Sequence, residues 1–293
     1  MGTSRYRPGR LAPLWLPGLV IGLVFLAAAA APWLSPHDPI AVDFQDRFAG
    51  PSFEHPLGTD QLGRDVLSRL LYGARLSLVM AVSATVGITT LGFLLGLVAG
   101  LYGRVVSSVI MRLVDILQAL PTLILALVVI GLLGQGILNL VLAIVAIGWA
   151  TYARVVRGMV LSIREEAYVE AARALGASRL RVLRRHVAPN LVGPVVVLST
   201  LDMGRMLLAV SALSFLGLGV GPPTPEWGAM LAEARVYLDR APQLLIYPGV
   251  AITFLVLAFN LGGDRLRDVL DPRPTRRLLP DRSLLFRRRT RRP

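Results

Sequence analysis

A short polar segment between two long apolar stretches is the most informative part of this chain. Residues 165–178 read Glu-Glu-Ala-Tyr-Val-Glu-Ala-Ala-Arg-Ala-Leu-Gly-Ala-Ser, and residues 186–190 read His-Val-Ala-Pro-Asn. Tyr168, Ala171, Ala172 and Leu175 follow the i, i+3, i+4, i+7 spacing of one helix face. This spacing predicts an amphipathic helix between two much more apolar segments.

The ends of this helix are indicated by capping residues. The tetrapeptide Ser-Ile-Arg-Glu at 162–165 fits a capping box whose serine is the N-cap, although the preceding apolar helix could also continue through it. Gly176 suits the position after a helix C-terminus, where a positive φ is needed. Ser178 can cap a second short helix over 179–187, which Pro189 limits. We therefore predict a helix–turn–helix lying along the inner face of a membrane.

The composition is that of a membrane protein. Apolar residues make up 54% of the chain and charged residues 17%, against about 45–50% and 25% in soluble domains. Six apolar stretches approach or exceed the ~20 residues that a spanning helix needs. We place these spans at residues 14–34, 76–101, 116–133, 137–153, 191–216 and 244–261. The predicted fold class is an all-α membrane protein with six transmembrane helices.

Arginine distribution predicts the orientation of these spans, because cytoplasmic loops collect basic residues. With the N-terminus inside, 24 of the 31 basic residues fall in inside segments and 6 in outside segments. Both termini are therefore predicted to be cytoplasmic. The resulting organisation is a tail at 1–13, a first span at 14–34, an extracytoplasmic loop at 35–75, a core at 76–263 with five spans and the polar segment 162–190, called the coupling segment below, and a basic tail at 264–293.

The N-terminus allows one other interpretation. Arg5, Arg7 and Arg10, followed by an apolar run and the alanines at 27–31, also resemble a secretory signal peptide. The apolar run is long for a signal peptide and Pro32 follows the alanines, so we favour a retained first span.

The residue types that are absent exclude several functions. All 31 basic residues are arginine, and a phosphate-binding P-loop requires a lysine. The chain also has no cysteine, which excludes disulfides and cysteine-ligated metals. The three histidines, His37, His55 and His186, lie in separate segments on both predicted sides of the membrane and indicate no metal site. We predict no catalytic, cofactor or metal site, and hence that the protein is not an enzyme.

The polar segment resembles a known coupling motif. Glu170-Ala171-Ala172, followed by Gly176 and Pro189, resembles the EAA loop of bacterial ABC-transporter permease subunits. His186 and Ala188 stand where that family has an aliphatic residue and a leucine. The ending His-x-x-Pro-Asn is similar to the dipeptide/oligopeptide/nickel branch of the family.

Longer strings extend this resemblance over roughly residues 35–272. His55–Arg69, which reads His-Pro-Leu-Gly-Thr-Asp-Gln-Leu-Gly-Arg-Asp-Val-Leu-Ser-Arg, resembles the N-terminal signature of the C-type permeases of that branch. Leu213–Gly219, Trp227–Met230, Pro248–Ala251 and Phe259–Pro272 resemble further motifs in the same order. Strings of this length are far more specific than isolated glycines or prolines.

The resemblance implies the type I permease fold of ABC importers, with a cytoplasmic coupling helix. A second homologous permease, two ABC ATPase subunits and an extracytoplasmic substrate-binding protein would be its partners in the lipid bilayer of a bacterial or archaeal cell. The ATPases would dock at Glu170, Ala171, Ala172, Gly176 and Pro189. The resemblance does not name a substrate, for which peptides, nickel and glutathione all fit. The alternative from another class is a stand-alone channel or an ion-driven secondary transporter.

Two further features concern charge. The arginine-rich segment 287–292 is interpreted as a membrane-proximal anchor rather than a nucleic-acid site, since no groove-reading module accompanies it. Asp202 and Arg205 lie inside the fifth span, where an ionised residue costs about 2.5–3.5 kcal/mol. Their i, i+3 spacing lets them pair. This face either lines the translocation path or holds two permeases together, and we predict the path.

Overall fold

The computed structural model describes residues 16–270 as a helical protein. The helices are α1 Leu16–Ala29, α2 Ala31–Leu34, α3 Val66–Leu101, α4 Arg104–Ala119, α5 Thr122–Leu133, α6 Ile137–Arg164, α7 Ala167–Ala174, α8 Arg179–Val182, α9 Ala188–Phe215, α10 Trp227–Ala234 and α11 Gln243–Leu270. A π-helical turn, Leu183–Val187, joins α8 to α9, and a 3₁₀ turn, Arg235–Tyr237, follows α10. Within 16–270 there is no β-strand, which agrees with the predicted all-α class. The tail at 1–13 and most of the basic tail, including 287–292, lie outside the described residues.

Four helical segments are long and apolar enough to cross a membrane. They are α3, α6, the continuous stretch Leu180–Phe215 that contains α9, and α11. The predicted spans at 76–101, 137–153 and 244–261 fall within these segments, and the span at 191–216 does so except for its last residue. Each segment extends beyond the prediction at one end or at both. The helix α1 is apolar but has only 14 residues, and it is followed by the short α2. The total of six spans stays a prediction.

The third predicted span, 116–133, is wrong as a continuous helix. The chain bends by 96° between α4 and α5, so the two count as a fifth span only if they are taken together. Pro121 explains the break, because proline disfavours the helical conformation of the residue before it. Leu120 is accordingly extended, with φ −110° and ψ 147°. The new helix starts immediately afterwards, and Pro121 O accepts the hydrogen bond from Ile124 N at 3.0 Å.

Close contact between α3 and α6 forms the centre of the molecule. Gly92, Gly96 and Gly100 recur every four residues on α3 and face α6. An added Cβ on Gly96 would lie 2.6 Å from the carbonyl oxygen of Ala153. Small residues at this spacing let two helix backbones approach closely within a membrane. The glycine stripe therefore fixes how α6, and the polar segment that follows it, is positioned.

A buried network of charges fastens the loop at 35–65 to the helices; we call it the outer loop, after its predicted extracytoplasmic side. Arg64 and Arg69, each with a side chain 2% exposed, both donate to Glu233 Oε2 on α10, at 2.5 and 3.0 Å. Arg64 Nε also donates to Asp60 Oδ2 at 2.6 Å. These ion pairs hold the signature 55–69 against α10. The last residues of the signature, from Val66, already belong to α3, within the segment that we predicted as loop.

Candidate functional site

The polar segment begins later than the capping-box prediction placed it. The helix α6 continues through Ser162 to Arg164, so Ser162 is not an N-cap and the alternative interpretation holds. The chain turns at Glu165 and Glu166, and α7 starts at Ala167. Arg164 Nη1 donates to the carbonyl oxygen of Gly100 at 2.5 Å, which ties the end of α6 to the end of α3.

The turn after α7 has the predicted glycine geometry. Gly176 has φ +82°. Its N–H donates to Arg173 O at 2.9 Å, and Ala177 N–H donates to Ala172 O at 3.0 Å. These two bonds form a Schellman motif, which satisfies carbonyls at the helix end. Ser178 Oγ then accepts from Arg181 N at 3.3 Å, so the predicted cap of the second helix is confirmed.

One side of α7 is anchored to the membrane helices. Val169 is fully buried among Val160 of α6, Val182 of α8 and Leu191 of α9. The ring of Tyr168 lies 5.8 Å from that of His186. These contacts join α7 to the helices on both sides of it, α6 and the α8–α9 helix.

The opposite side of α7 is open. Glu170 and Ala171 are exposed and Ala172 is half-buried. Tyr168 is 46% exposed and Leu175 is 89% exposed, although both belong to the apolar face identified from the spacing. A hydrophobic residue as exposed as Leu175 typically marks an interaction surface when it has apolar neighbours.

A large hollow lies beside this surface. It has a volume of about 610 Å³ and is lined by the end of α3, including Leu101 and Tyr102, by Arg164 and Arg173, and by the α8 region around Leu183. The hollow and the exposed face of α7 together form a concave and apolar surface with arginines at its edge.

Pro189 does not end the second helix as predicted. The stretch Leu180–Phe215 is one continuous helix, and Pro189 lies in the first turn of α9. The π turn at Leu183–Val187 accommodates it, with Ala188 N–H donating to Leu183 O five residues earlier. An inserted residue of this kind lets a helix pass a position that cannot donate a hydrogen bond.

Asp202 and Arg205 form the predicted ion pair within α9. Arg205 Nη1 donates to Asp202 Oδ1 at 2.9 Å. The Asp202 side chain is 10% exposed, whereas that of Arg205 is 73% exposed. The carboxylate therefore faces the helix bundle, and the guanidinium extends out of it.

Polar groups from three helices meet near Asp202. Tyr152 of α6 lies close to Asp202, Thr89 of α3 and Ser199 of α9. Thr89 and Ser199 are joined by a hydrogen bond of 3.0 Å between their hydroxyl oxygens. The sequence did not indicate Tyr152, Thr89 and Ser199, because a single hydroxyl in an apolar stretch does not reveal whether it points into the helix bundle. The predicted coupling residues Glu170–Ala172 lie on α7, whereas Asp202 lies within α9, so the structure keeps the two predicted sites separate.

The prediction that the histidines lie apart is wrong for two of them. His37 and His55 have ring centroids 4.6 Å apart, because the outer loop folds back on itself. His186 remains separate, against Tyr168 of the coupling segment. No sequence motif spans the His37–His55 pair, so only the loop fold reveals it.

Comparison with known proteins identifies the family. Residues 92–276 match the model of the binding-protein-dependent transport system inner membrane component. The chain belongs to this family. The matched region starts within the glycine stripe of α3 and contains the coupling segment, Asp202 and Arg205.

Individual relatives agree with the family assignment. The chain is 44% identical over 254 residues to the nickel transport system permease protein NikC of Escherichia coli K12, covering 87% of this chain and 92% of the relative. It is 45% identical over 258 residues to the di/tripeptide transport system permease protein DppC of Pseudomonas aeruginosa, covering 86% and 85%. These relatives are transport permeases and not enzymes, which agrees with the absence of a predicted catalytic site.

The fold is also that of a solved importer. The structure matches a chain of the inward-facing MetNI methionine ABC transporter with a TM-score of 0.55 and 19% identity, over 69% of this chain and 96% of that chain. At this identity the match establishes the permease fold only. The chain is therefore a multi-pass inner-membrane permease of the ABC importer type.

Proposed function

We propose that this chain transmits ATP-driven movement to a translocation path that it forms with a second, homologous permease. The observation that carries the proposal is the two-sided character of α7. Val169 anchors one side to α6 and to the continuous helix that contains α8 and α9, while Tyr168, Glu170 and Leu175 remain exposed on the other. A helix built this way can receive a force on one side and deliver it on the other.

The exposed side is proposed to receive an ABC ATPase subunit. Ala171 offers a small surface for close approach, and Glu170 offers a carboxylate to a basic group on the ATPase. Gly176 and Pro189 shape the turn and the return helix around this contact. Two ATPases, one under each permease, would hydrolyse the ATP, since this lysine-free chain has no P-loop.

The Asp202 face of α9 is proposed to line the path. Ionisable residues within membrane helices usually face a bundle interior or a watery cavity. The buried carboxylate of Asp202 and the nearby hydroxyls of Thr89 and Ser199 supply polar contacts at such a surface. A peptide or a related small substrate, delivered by an extracytoplasmic binding protein, would pass beside them.

The proposed membrane arrangement has six spans and both termini in the cytoplasm. Its support is the arginine bias together with the helix order, in which α1, α3, the α4–α5 pair, α6, the α9 segment and α11 each supply one crossing. This arrangement puts α7 on the cytoplasmic side and the ion pair of Arg64 with Glu233 on the outer side. It also leaves the basic tail inside, near anionic lipid.

The substrate is proposed to be a peptide or a related small substrate. The relatives are named for nickel, di- and tripeptide, and glutathione transport. Since the binding protein that delivers the substrate is a separate chain, we propose the class and not the compound.

Co-purification tests the coupling proposal. The tagged chain should be extracted gently from its native membrane, and two P-loop ATPases and a second permease should accompany it. Glu170→Arg should reduce the amount of recovered ATPase, whereas the control Glu165→Arg, on an exposed glutamate before α7, should not. A homo-oligomer without any ATPase, recovered where a known ABC importer stays whole, would instead favour the stand-alone channel or ion-driven transporter.

A further inference from the structure

The outer loop brings two imidazoles and a carboxylate together. His37, Glu54 and His55 each offer a ligand atom, and these atoms all lie within 4.8 Å of one another. The two histidine rings lie 4.6 Å apart at their centroids, with their planes tilted by 33°. From this geometry we infer that His37, Glu54 and His55 bind a divalent transition-metal ion.

Asp65 holds His55 in the orientation that a ligand needs. His55 Nδ1–H donates to Asp65 Oδ1 at 2.9 Å, and the Asp65 side chain is fully buried. This bond fixes the tautomer and leaves Nε2 of His55 unprotonated for coordination. Metal-ligating histidines nearly always have such a carboxylate or carbonyl behind them.

The backbone around both histidines is fixed before any ion binds. His37 N–H donates to Ser68 Oγ at 3.2 Å, and His37 O accepts from Ser35 Oγ at 2.6 Å. His55 N–H donates to Ser52 Oγ at 2.9 Å. A site whose ligands are already positioned loses less entropy when it binds.

The imidazole of His37 lies 4.0 Å from the buried Asp65, measured from Nδ1 to Oδ1, but forms no hydrogen bond with it. Its Nδ1 is buried, and no partner within the described residues 16–270 forms a hydrogen bond with it. Glu54 is exposed, so its carboxylate is free to rotate toward the rings. Tetrahedral ligands at about 2.0–2.1 Å from an ion lie roughly 3.3 Å from each other. Because the three ligand atoms are already within 4.8 Å of one another, they need to approach each other by about 1.5 Å at most.

The ligand set indicates the class of ion. Imidazole suits zinc, copper, iron and nickel, and one carboxylate beside two histidines leaves coordination positions for water. Magnesium and calcium prefer sites made of oxygen ligands. Bound at this point, the ion would link His37, just after α2, to the loop at 52–55.

Metal titration of the full-length chain tests this inference and does not depend on the proposed transport function. The chain should carry no histidine tag and should be treated with a chelator, then titrated with Ni²⁺ and Zn²⁺ by calorimetry. We expect one ion per native chain and a binding constant at least about tenfold weaker in His37→Gln and in Glu54→Gln. The controls His186→Gln and Glu165→Gln should bind like the native chain.

Thermal unfolding gives a second readout. An ion that binds only the folded chain should raise the melting temperature of the native protein and not that of His37→Gln. Glu54 is exposed, so Glu54→Gln keeps the fold and isolates the lost ligand. Equal affinity in the native chain and in Glu54→Gln, no binding by the native chain, or an equal loss in His186→Gln would each overturn the inference.

Discussion

Ser77 on α3 donates a hydrogen bond of 2.8 Å to the carboxylate of Glu226, which lies 149 residues further along the chain. Both residues are fully buried. The second carboxylate oxygen of Glu226 accepts from Ala229 N at 2.9 Å and caps α10. A single acidic side chain therefore starts one helix and fastens it to another.

Replacing Glu226 should destabilise the chain markedly. Glu226→Ala removes the cap of α10 and leaves the buried Ser77 hydroxyl without its acceptor, so we expect a loss of about 2 kcal/mol or more in unfolding free energy. Glu226→Gln keeps only one acceptor oxygen and should have an intermediate effect. Thermal unfolding of the purified chain measures both variants. The exposed Asp239→Ala serves as the control, and equal melting temperatures for Glu226→Ala and Asp239→Ala would contradict the assignment.

The close approach of α3 and α6 predicts a second stability effect. Gly96→Ala would place a methyl group 2.6 Å from the Ala153 carbonyl oxygen. Because backbone cannot move aside cheaply, we expect a loss of about 1–3 kcal/mol. Gly22→Ala in α1 is the matched control, since its new methyl group would meet nothing within 4 Å. If both variants unfold at the native temperature, the packing described for the stripe is wrong.

Gly176 is expected to matter through its backbone alone. A Cβ at Gly176 would meet nothing within 4 Å, but φ is +82°. Gly176→Ala should therefore cost about 1–2 kcal/mol of local strain and loosen the turn after α7. We expect a lower ratio of substrate transported to ATP hydrolysed in the reconstituted importer. Gly176→Asn should be milder, because asparagine tolerates this conformation, and an alanine variant that couples as well as the native chain would disprove the role of the turn.

A substitution at Asp202 distinguishes a role in the translocation path from a purely structural role. Asp202→Leu removes the buried charge, and we expect uptake to fall roughly tenfold or more while the permeases and ATPases still co-purify. Thr200→Val is the control, since its hydroxyl only bonds back to Val196 O of its own helix, at 2.9 Å. Normal uptake would refute the path assignment. Loss of the second permease from the purified complex would show a structural pair instead.

Local sequence signals predicted the local geometry of the coupling segment well. Gly176 and Ser178 behave as expected, because a positive φ and an N-cap are set by the residue itself and its nearest neighbours. Ser162 and Pro189 failed for one reason. At both residues the helix continues where the local sequence predicts an end. The burial of Val160 and Leu191, which lie close to these positions, stabilises the continued helices more than the local signal disfavours them.

Distant contacts could not be predicted in the same way. The pairing of His37 with His55 depends on hydrogen bonds between the outer loop and the start of α3. The Glu233 contacts join residues more than 160 positions apart, such as Gln61 and Glu233, for which periodicity carries no information. The break at Pro121 was partly predictable, since a proline before a helix favours a new start, but the local sequence does not predict the bend of 96° or the contacts of both α4 and α5 with α6.

The π turn at Leu183–Val187 changes the direction in which the side chains of α9 point. One inserted residue turns the helix that follows by about 100°, because an α-helix completes a turn every 3.6 residues. The side of α9 that carries Asp202 therefore points about 100° away from the direction it would have without this extra residue. Under the proposed coupling, the π turn thus determines which face of α9 a displacement of α7 would reach.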